Sequence, residues 1–354
     1  MKTALLSALG LAAHASAAAY SRSTTGQYDF APEQDDKFSD DALPYLFDFG
    51  QSQGLDYSGS WWTSSYITGT NNVQYLVLSH VLDTPIFSYH RGSVLDLSTL
   101  QYTQFVSAGN ATLTDTANPR YNVNVGGGGF EALSADNVTS QRTYSTHANG
   151  TWDMTWNATS GAVSNVGSGS FQFGPSVTTE WGLPNCYTEG TLIAPNGDSV
   201  TVDPARSFTW YDRQWGTAAV TSGNWTWFQL HVPESSDKLS IWIIDSEATG
   251  KFNKFATVRG PDGDHGVLPV KWEPKYERST KSQGAGADIL YPLDWTLEIA
   301  GYGTVDVASI AADQEIVGGN AIQTAYEGFV NYTGVIGGKN VTGFGLVEIV
   351  YANW

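Results

Sequence analysis

The chain has 354 residues, a formal net charge of −18 and a single cysteine. The acidic balance argues against nucleic acid or an anionic membrane surface as the partner, and one cysteine excludes an intramolecular disulfide. Aromatic residues make up 13% of the sequence, more than a core of this size requires, and they favour a binding surface for sugars, flat phenolics or isoprenoids.

The N-terminus predicts a secretory signal peptide over residues 1–17. Lys2 supplies a positive charge, residues 4–13 are apolar, and residues 15–17 fit the small-x-small pattern that signal peptidase cleaves. No later segment approaches 18 unbroken apolar residues, so we expect no membrane anchor. Residues 18–44 are polar and acidic, and we expect them to lie over the surface as an N-terminal arm.

Asparagine-x-threonine sequons support the same secretory route. Several of them behind a signal peptide predict N-glycosylation at surface turns. The protein is then expected to be extracellular, or held in a vacuole or vesicle. The sequons stand at Asn110, Asn137, Asn149, Asn157, Asn224, Asn331 and Asn340.

The rest of the chain predicts an all-β protein. Short runs rich in β-branched and aromatic residues recur, separated by Gly, Asn, Asp and Pro, while few windows carry a sustained helical period. Asn196-Gly197 and Asp262-Gly263 indicate hairpin turns. The glycines at 126–129 predict a flexible loop and not a phosphate cradle, because no Lys-Ser/Thr pair follows them.

At this length two packed β-domains are expected, each a lipocalin-like barrel or a sandwich. The texture of the sequence changes near Pro204, which places the N-terminal domain at 45–205 and the C-terminal lipocalin-like barrel at 206–354. Cys186 is interpreted as a small buried hydrophobe, since a nucleophilic cysteine needs a nearby base.

The densest group of candidate functional residues lies within residues 207–232. Side chains alternate along a strand, so Trp225, Trp227, Gln229 and His231 share one face. Indoles, an amide and an imidazole together predict the interior of a ligand-binding barrel. The alternative is that the two indoles fill a core and that His231 lies in solvent.

Four further charged positions need an explanation. Asp212 and Arg213, if buried together, form a pair that can set the pKa of the acid; a turn-stabilising acid beside a surface base is the alternative. Glu327 and Glu348 lie on the predicted closing hairpin of the barrel. Hydrogen bonds that cap the end of the barrel are the favoured interpretation for them.

Two motifs resemble a known family. The run WYDRQWG at 210–216 and the ending YEG at 326–328 followed by G-x-G-x-x-E-x-x-Y at 343–351 are similar to the kievitone hydratase family. They also resemble the wider group of carotenoid 1,2-hydratases and lipocalin-like fungal Diels–Alderases. The resemblance is firmest from about residue 206 to the C-terminus. It implies two lipocalin-like β-domains with a lipophilic substrate bound in or between them.

The resemblance implies a cofactor-independent lyase or cyclase acting on a prenylated or terpenoid-phenolic metabolite. Hydration of a prenyl double bond needs an acid kept protonated in a dry pocket, aromatic faces beside the cation, and a positioned water. Asp212 is the first choice for the acid, with Arg213 and Gln214 orienting it or the substrate, and His80 and His231 are alternative donors. Candidate substrate contacts are Trp61, Trp62, Tyr211, Gln214, Trp215, Trp225, Trp227 and Gln229, although packing is the better explanation for Trp61 and Trp62.

Other functions remain open at this point. A hetero-Diels–Alder cyclase that works through a dehydrated quinone methide would use the same acid. A non-catalytic lipocalin-like carrier needs the same apolar cavity, and a secreted glycan-active protein would share the composition. The sequence has no metal-ligand or dinucleotide motif, so we expect neither metal nor cofactor. The residues do not indicate an oligomeric state.

Overall fold

The computed structural model describes residues 27–34, 37–39, 43–54, 58–113, 120–217, 220–233 and 235–353. Within these ranges the chain consists of antiparallel strands and three single-turn 3-10 helices, at Gln51–Gln53, Pro204–Arg206 and Ala321–Gln323. The predicted all-β class is therefore confirmed. The predicted signal peptide lies outside the described residues. No helix in the described part of the chain is long and apolar enough to cross a membrane.

The first sheet has fourteen strands in the described residues, and its spatial order is β4-β3-β2-β1-β14-β12-β9-β8-β7-β6-β5. The three short strands β10, β11 and β13 pair with β12 beside this path. The strands are β1 (Ser58–Thr68), β2 (Gln74–Asp83), β3 (Ser88–Asp96), β4 (Tyr102–Gly109), β5 (Thr112–Leu113), β6 (Asn122–Val125), β7 (Gly128–Ala132), β8 (Ser140–His147), β9 (Gly150–Asn157), β10 (Val163–Ser164), β11 (Ser170–Phe173), β12 (Ser176–Ile193), β13 (Ser199–Thr201) and β14 (Phe208–Gly216).

The second sheet closes on itself. Its order is β20-β19-β18-β17-β16-β15-β23-β22-β21, and a further pairing of β20 with β22 completes a ring, which is the closure of a lipocalin-like barrel. The strands are β15 (Ser222–Val232), β16 (Asp237–Ser246), β17 (Lys251–Arg259), β18 (His265–Lys281), β19 (Leu290–Ile299), β20 (Gly303–Ser309), β21 (Glu315–Ile316), β22 (Ala325–Ile336) and β23 (Lys339–Asn353).

The division between the sheets comes later than predicted. Strand β14 pairs with β1 and β12 of the first sheet, whereas β15 begins the second. The predicted boundary at 205/206 is therefore wrong, and the change of sheet lies between Gly216 and Ser222. The change in composition near Pro204 coincides with a single 3-10 turn. The Asp203 side chain caps this turn by accepting a hydrogen bond from the Ala205 N–H.

The turn chemistry follows the sequence at most positions. Gly197 and Gly263 both have positive φ, 92° and 84°, and each lies in the hairpin predicted there. The glycines at 126 and 127 also have positive φ, 61° and 89°. They form a two-residue turn between β6 and β7, which pair up to Val125 and Gly128. The predicted flexible loop is therefore a tight hairpin.

The two sheets pack against each other through a shared aromatic core, which we call the seam. Side chains from β1 and β14 of the first sheet meet side chains from β15, β16, β22 and β23 of the second. The side chains of β15 alternate between two faces, as predicted, but the two faces point in the opposite directions to those expected. Phe228 and Leu230 fill the barrel, while Trp225 and Trp227 point out of it into the seam. The interpretation of this face as a barrel interior is therefore wrong.

The described part of the N-terminal arm enters the seam. Phe30 is 1% exposed, and its ring lies edge-on to Tyr66 and Phe344 at 5.4 and 5.1 Å between centroids. Glu33 then forms ion pairs with Lys238 at 2.7 Å and Arg259 at 3.4 Å. The other described residues at 27–34 and 37–39 are exposed or half-buried, so Phe30 anchors a segment that otherwise lies at the surface.

Candidate active site

Five residues form one row across the first sheet. They are cross-strand partners, and residues directly opposite one another in a sheet point to the same face. All five therefore face the seam. The row consists of Gly182, Asp212, Trp62, His80 and Arg91, on β12, β14, β1, β2 and β3 in turn.

A second row faces the first from the barrel. It runs through Trp242, Trp227, Glu348 and Glu327, again as successive cross-strand partners. The Trp62 indole donates a hydrogen bond to Glu327 Oε2 at 3.1 Å, which joins the two rows. The site is thus assembled from both sheets.

One guanidinium serves two carboxylates in the seam. Arg91 lies 3.0 Å from Glu327 Oε1 and 3.2 Å from Glu348 Oε1, and both acids are buried. Burial, together with the neighbouring Glu327 charge, raises the pKa of Glu348 to about 8 even beside Arg91. The interpretation of the two glutamates as caps at the end of the barrel is wrong, because they face the first sheet.

Asp212 is a buried acid whose side chain is hydrogen-bonded to an indole. It is 6% exposed and accepts a hydrogen bond from Trp210 Nε1 at 2.8 Å. Burial raises the pKa of the Asp212 carboxyl well above its usual range, and Glu348 adds to the rise. Burial therefore favours the protonated form of the carboxyl, which is the form that a proton donor needs.

Glu180 is a second acid beside Asp212. It lies on β12, two residues before the Asp212 partner Gly182, and is 2% exposed. Gln214 Nε2 donates to Glu180 Oε2 at 3.3 Å. Burial and the neighbouring Asp212 raise the pKa of Glu180 well above its usual range, which favours the protonated form of this second acid as well.

Arg213 lies on the opposite face of the sheet from Asp212. Its Nε donates to Ser52 O at 2.9 Å and its NH2 to Gly54 O at 3.0 Å, while the guanidinium covers the Trp61 ring at 4.2 Å. Burial lowers the pKa of Arg213 to about 10. The predicted pairing of Arg213 with Asp212 is wrong, because consecutive strand residues point in opposite directions.

Three of the predicted substrate contacts also lie on that far face. Tyr211 is fully buried and donates to Gln53 Oε1 at 2.7 Å. Trp61 packs in the same cluster, with Trp215 against it. None of the three lines the seam, and packing accounts for Trp61 as the sequence analysis favoured. Trp62, the neighbouring residue in the sequence, points into the seam instead.

Both predicted histidine donors face the seam as neutral rings. Ser60 Oγ lies 2.9 Å from His80 Nε2. His231 stacks on Phe344 at 5.2 Å between centroids and lies next to Gln229, Nε2 to Nε2 at 3.3 Å. Burial lowers the pKa of each histidine well below its usual range. A neutral imidazole is a weaker proton donor than a carboxylic acid.

Indoles surround the acids. Trp62 and Trp227 meet edge to face at 5.2 Å between centroids, and Trp210 meets Trp227 at 6.1 Å. Trp242 stacks on Trp227 at 5.8 Å. Indole faces attract positive charge, so this wall suits a reaction that passes through a carbocation.

Several members of the site were not predicted from the sequence. The overlooked residues are Arg91, Glu180, Trp210 and Trp242. The sequence around Arg91, SYHRGSVLD, is rich in polar residues and gives no sign of burial, although every residue of β3 is buried in the structure. Among the described residues no group of three His, Cys, Asp or Glu side chains could hold a metal ion.

The fold and the site define a two-sheet β-protein with a buried acid cluster at the junction of its sheets. The AttH-like family model matches residues 94–350. The chain belongs to this family.

Two similar proteins indicate the class of reaction. The chain is 57% identical over 328 residues to kievitone hydratase of Fusarium solani subsp. phaseoli, covering 93% of this chain and 92% of that protein. It is 40% identical over 332 residues to dehydratase asqC of Emericella nidulans, with 92% and 94% covered. The resemblance to kievitone hydratases is thus confirmed, and the chain is an enzyme of the hydro-lyase type.

A solved structure agrees with this assignment. The crystal structure of kievitone hydratase from Nectria haematococca superposes with a TM-score of 0.88 at 45% identity, covering 93% of this chain and 99% of that one. The two-sheet architecture is therefore shared over nearly the full length of both chains.

Proposed function

We propose that the enzyme adds water across a carbon–carbon double bond of a lipophilic prenylated or terpenoid-phenolic metabolite, with Asp212 as the acid. One observation carries the proposal: a buried carboxyl, whose protonated form burial favours, lies at the indole-lined seam. The 57% identity to a kievitone hydratase supports the class of metabolite.

The reaction needs one proton donor and one water molecule. Asp212 gives its proton to the less substituted alkene carbon, the π bond breaks, and a tertiary cation forms beside the indoles. The oxygen of water then bonds to the cationic carbon, and the proton it loses returns to the Asp212 carboxylate. The acid is restored, and atoms and charge balance.

The charges of the seam assist this sequence. Arg91 forms ion pairs with Glu327 and Glu348, so its charge favours the ionised forms of these acids, while burial favours the protonated forms. Where Glu348 is ionised, its charge opposes ionisation of Asp212. An ionised carboxylate of this pair also lowers the energy of a cation formed at the seam.

Dehydration of a tertiary alcohol is the second candidate, and the dehydratase relative favours it. The steps run in reverse: Asp212 protonates the departing hydroxyl, and its carboxylate removes a proton from the neighbouring carbon. Hydration is proposed first because the hydratase relative is 57% identical and the dehydratase relative 40%.

Turnover of kievitone by the purified protein tests the proposal. We expect a product heavier by one water, and a loss of turnover of about 10²–10⁴-fold in Asp212→Asn and Asp212→Ala, the usual contribution of a general acid. Asp198→Asn, an exposed aspartate in the β12–β13 hairpin, is the matched control and keeps full turnover. Full turnover in Asp212→Asn would remove Asp212 from the mechanism. Tight binding with unchanged substrate would favour a carrier.

Synthesis through the secretory pathway, with N-glycosylation, forms part of the proposal. The asparagines at 110, 149, 157 and 340 have exposed side chains, which supports access for the glycosyltransferase. Asn331 has a buried side-chain oxygen, and Asn137 Oδ1 accepts a bond from Tyr121 N–H at 3.0 Å. Enzymatic deglycosylation of protein from a eukaryotic host should lower its mass; an unchanged mass, or a cytosolic product, contradicts this part.

A further inference from the structure

The far end of the first-sheet row carries a second polar pair. His80 and Arg91 are cross-strand partners on β2 and β3. Both face the seam, since His80 also pairs with Trp62 and Arg91 reaches the glutamates of the barrel. They are 8% and 1% exposed.

Each of these side chains has one buried nitrogen without a hydrogen-bond partner among the described residues. The two atoms are His80 Nδ1 and Arg91 Nε. Their remaining nitrogens are engaged: His80 Nε2 with Ser60 Oγ at 2.9 Å, and the terminal guanidinium nitrogens with Glu327, Glu348 and the Gln323 carbonyl. Buried polar atoms are nearly always paired in folded proteins. Other buried polar atoms of the described residues are unpaired too, but these two belong to cross-strand partners that face the seam, which points to a partner from outside the chain.

The chemistry of the two nitrogens selects a hydroxyl group. Arg91 Nε–H can only donate, whereas a neutral imidazole nitrogen either donates or accepts according to its tautomer. A hydroxyl accepts from Arg91 and donates to His80 Nδ1, or accepts from both if Nδ1 carries the proton. An anion is disfavoured by Glu327 and Glu348, which lie against the same guanidinium, and a cation is disfavoured by Arg91 itself.

The separation between this pair and Asp212 sets the length of a ligand that contacts both. His80 and Asp212 are both direct partners of Trp62, one on each side, so two inter-strand spacings, roughly 10 Å in total, separate their backbones. A ligand that reaches both groups crosses the Trp62 indole. A flat aromatic ring fits that crossing because it can lie against the indole.

We propose that His80 and Arg91 bind a phenolic hydroxyl of the substrate at the end of the row opposite Asp212. This rests on the proposed function, whose acid it uses as the other fixed point. The substrate is then an extended phenol whose hydroxyl lies roughly 10 Å from the reacting carbon, set by two strand spacings. Recognition of the phenol fixes which double bond reaches the acid.

A series of prenylated phenols, each methylated at one hydroxyl, tests the proposal on the wild-type protein. Methylation of one particular hydroxyl is expected to raise KM at least tenfold and to leave kcat within about threefold, while the other methyl ethers behave as the parent. His80→Phe keeps a flat ring but removes the nitrogen, and should raise KM for the parent to that of the sensitive ether. Ser60→Ala, which leaves His80 Nδ1 in place, should keep the discrimination.

The outcomes are separable. Equal KM for the parent and all of its ethers overturns the hydroxyl site, whether or not His80→Phe folds. A His80→Phe enzyme with unchanged KM and a lost kcat also overturns it, since His80 would then act on the reaction itself. Failure of the acid assignment gives a different result: Asp212→Asn would keep turnover while the discrimination among ethers persists.

Discussion

Asp212 and Arg213 are consecutive residues whose charged groups lie on opposite faces of the first sheet. Asp212 meets the Trp210 indole in the seam, and Arg213 is held by the carbonyls of Ser52 and Gly54 behind it. Since an adjacent guanidinium would lower the pKa of the acid, this separation preserves the protonated form of Asp212. Asp212 therefore belongs to the site, and Arg213 belongs to the scaffold behind it.

Gly182 is expected to be needed for the acid to keep its position. A Cβ added at Gly182 would collide with Asp212 Oδ1 and lie 3.0 Å from Trp210 Nε1. Gly182→Ala should therefore lower kcat at least tenfold by displacing the carboxyl. Gly266→Ala, where an added Cβ would lie 4.0 Å from Leu268 Cγ, is the matched control. Steady-state kinetics measures kcat for both variants, and a thermal melt checks that both are folded. A wild-type kcat in Gly182→Ala would contradict the prediction.

Trp210→Phe should alter the pH dependence of turnover. The indole N–H bond stabilises the ionised form of Asp212, so its removal raises the pKa of the acid further. The alkaline limb of the kcat profile, where the acid must remain protonated, should move to higher pH, and kcat should fall about tenfold, the usual effect of a hydrogen bond to a charged group. Trp227→Phe, which loses a bond to Ser240 Oγ at 2.9 Å, should leave the limb in place.

Glu348 should make the protein more stable in mild acid. Its pKa is raised by burial from 4.5 to about 8 in the folded chain, so the protonated form is the one that folding favours. Its contribution is complete below pH 4.5 and is lost as the pH rises through 8. Glu348→Gln should flatten the urea-unfolding free energy between these two values. Glu189→Gln, an exposed acid, should keep the wild-type slope, and an unchanged slope in Glu348→Gln rejects the argument.

Phe30 should bind the N-terminal arm to both sheets. Its ring packs on Tyr66 of the first sheet and Phe344 of the second. Phe30→Ala is expected to lower the free energy of unfolding by about 3–5 kcal/mol, the usual cost of truncating a buried aromatic residue. Leu46→Ala, at a side chain 72% exposed, is the control and should change little. A loss below 1 kcal/mol, on the order of an exposed substitution, would show that the arm packs loosely.

Much of the fold could be predicted from local patterns in the sequence. Strand alternation gave the shared face of Trp225 and Trp227, and glycine dipeptides gave the turns at 197 and 263. Such features depend on a few neighbouring residues and on backbone geometry. The motif at 210–216 likewise identified Asp212 before its surroundings were known.

The ion-pair partner of Glu327 lies far away in the chain, which is why it escaped prediction. Arg91 meets Glu327 across more than two hundred residues, and nothing near Arg91 in the sequence identifies that partner. The direction of the β15 face depends on which side of the barrel the first sheet covers. Long-range packing decides that, and alternation alone cannot distinguish the inside of a barrel from its covered outside.

The two rows of the seam come from separate stretches of the chain. Asp212, with its neighbours on the first sheet, precedes Gly216, and the tryptophans Trp225, Trp227 and Trp242 follow it. Each row carries both an acid and an indole, so neither stretch of the chain forms the site alone. The site therefore exists only once both sheets have folded and packed together.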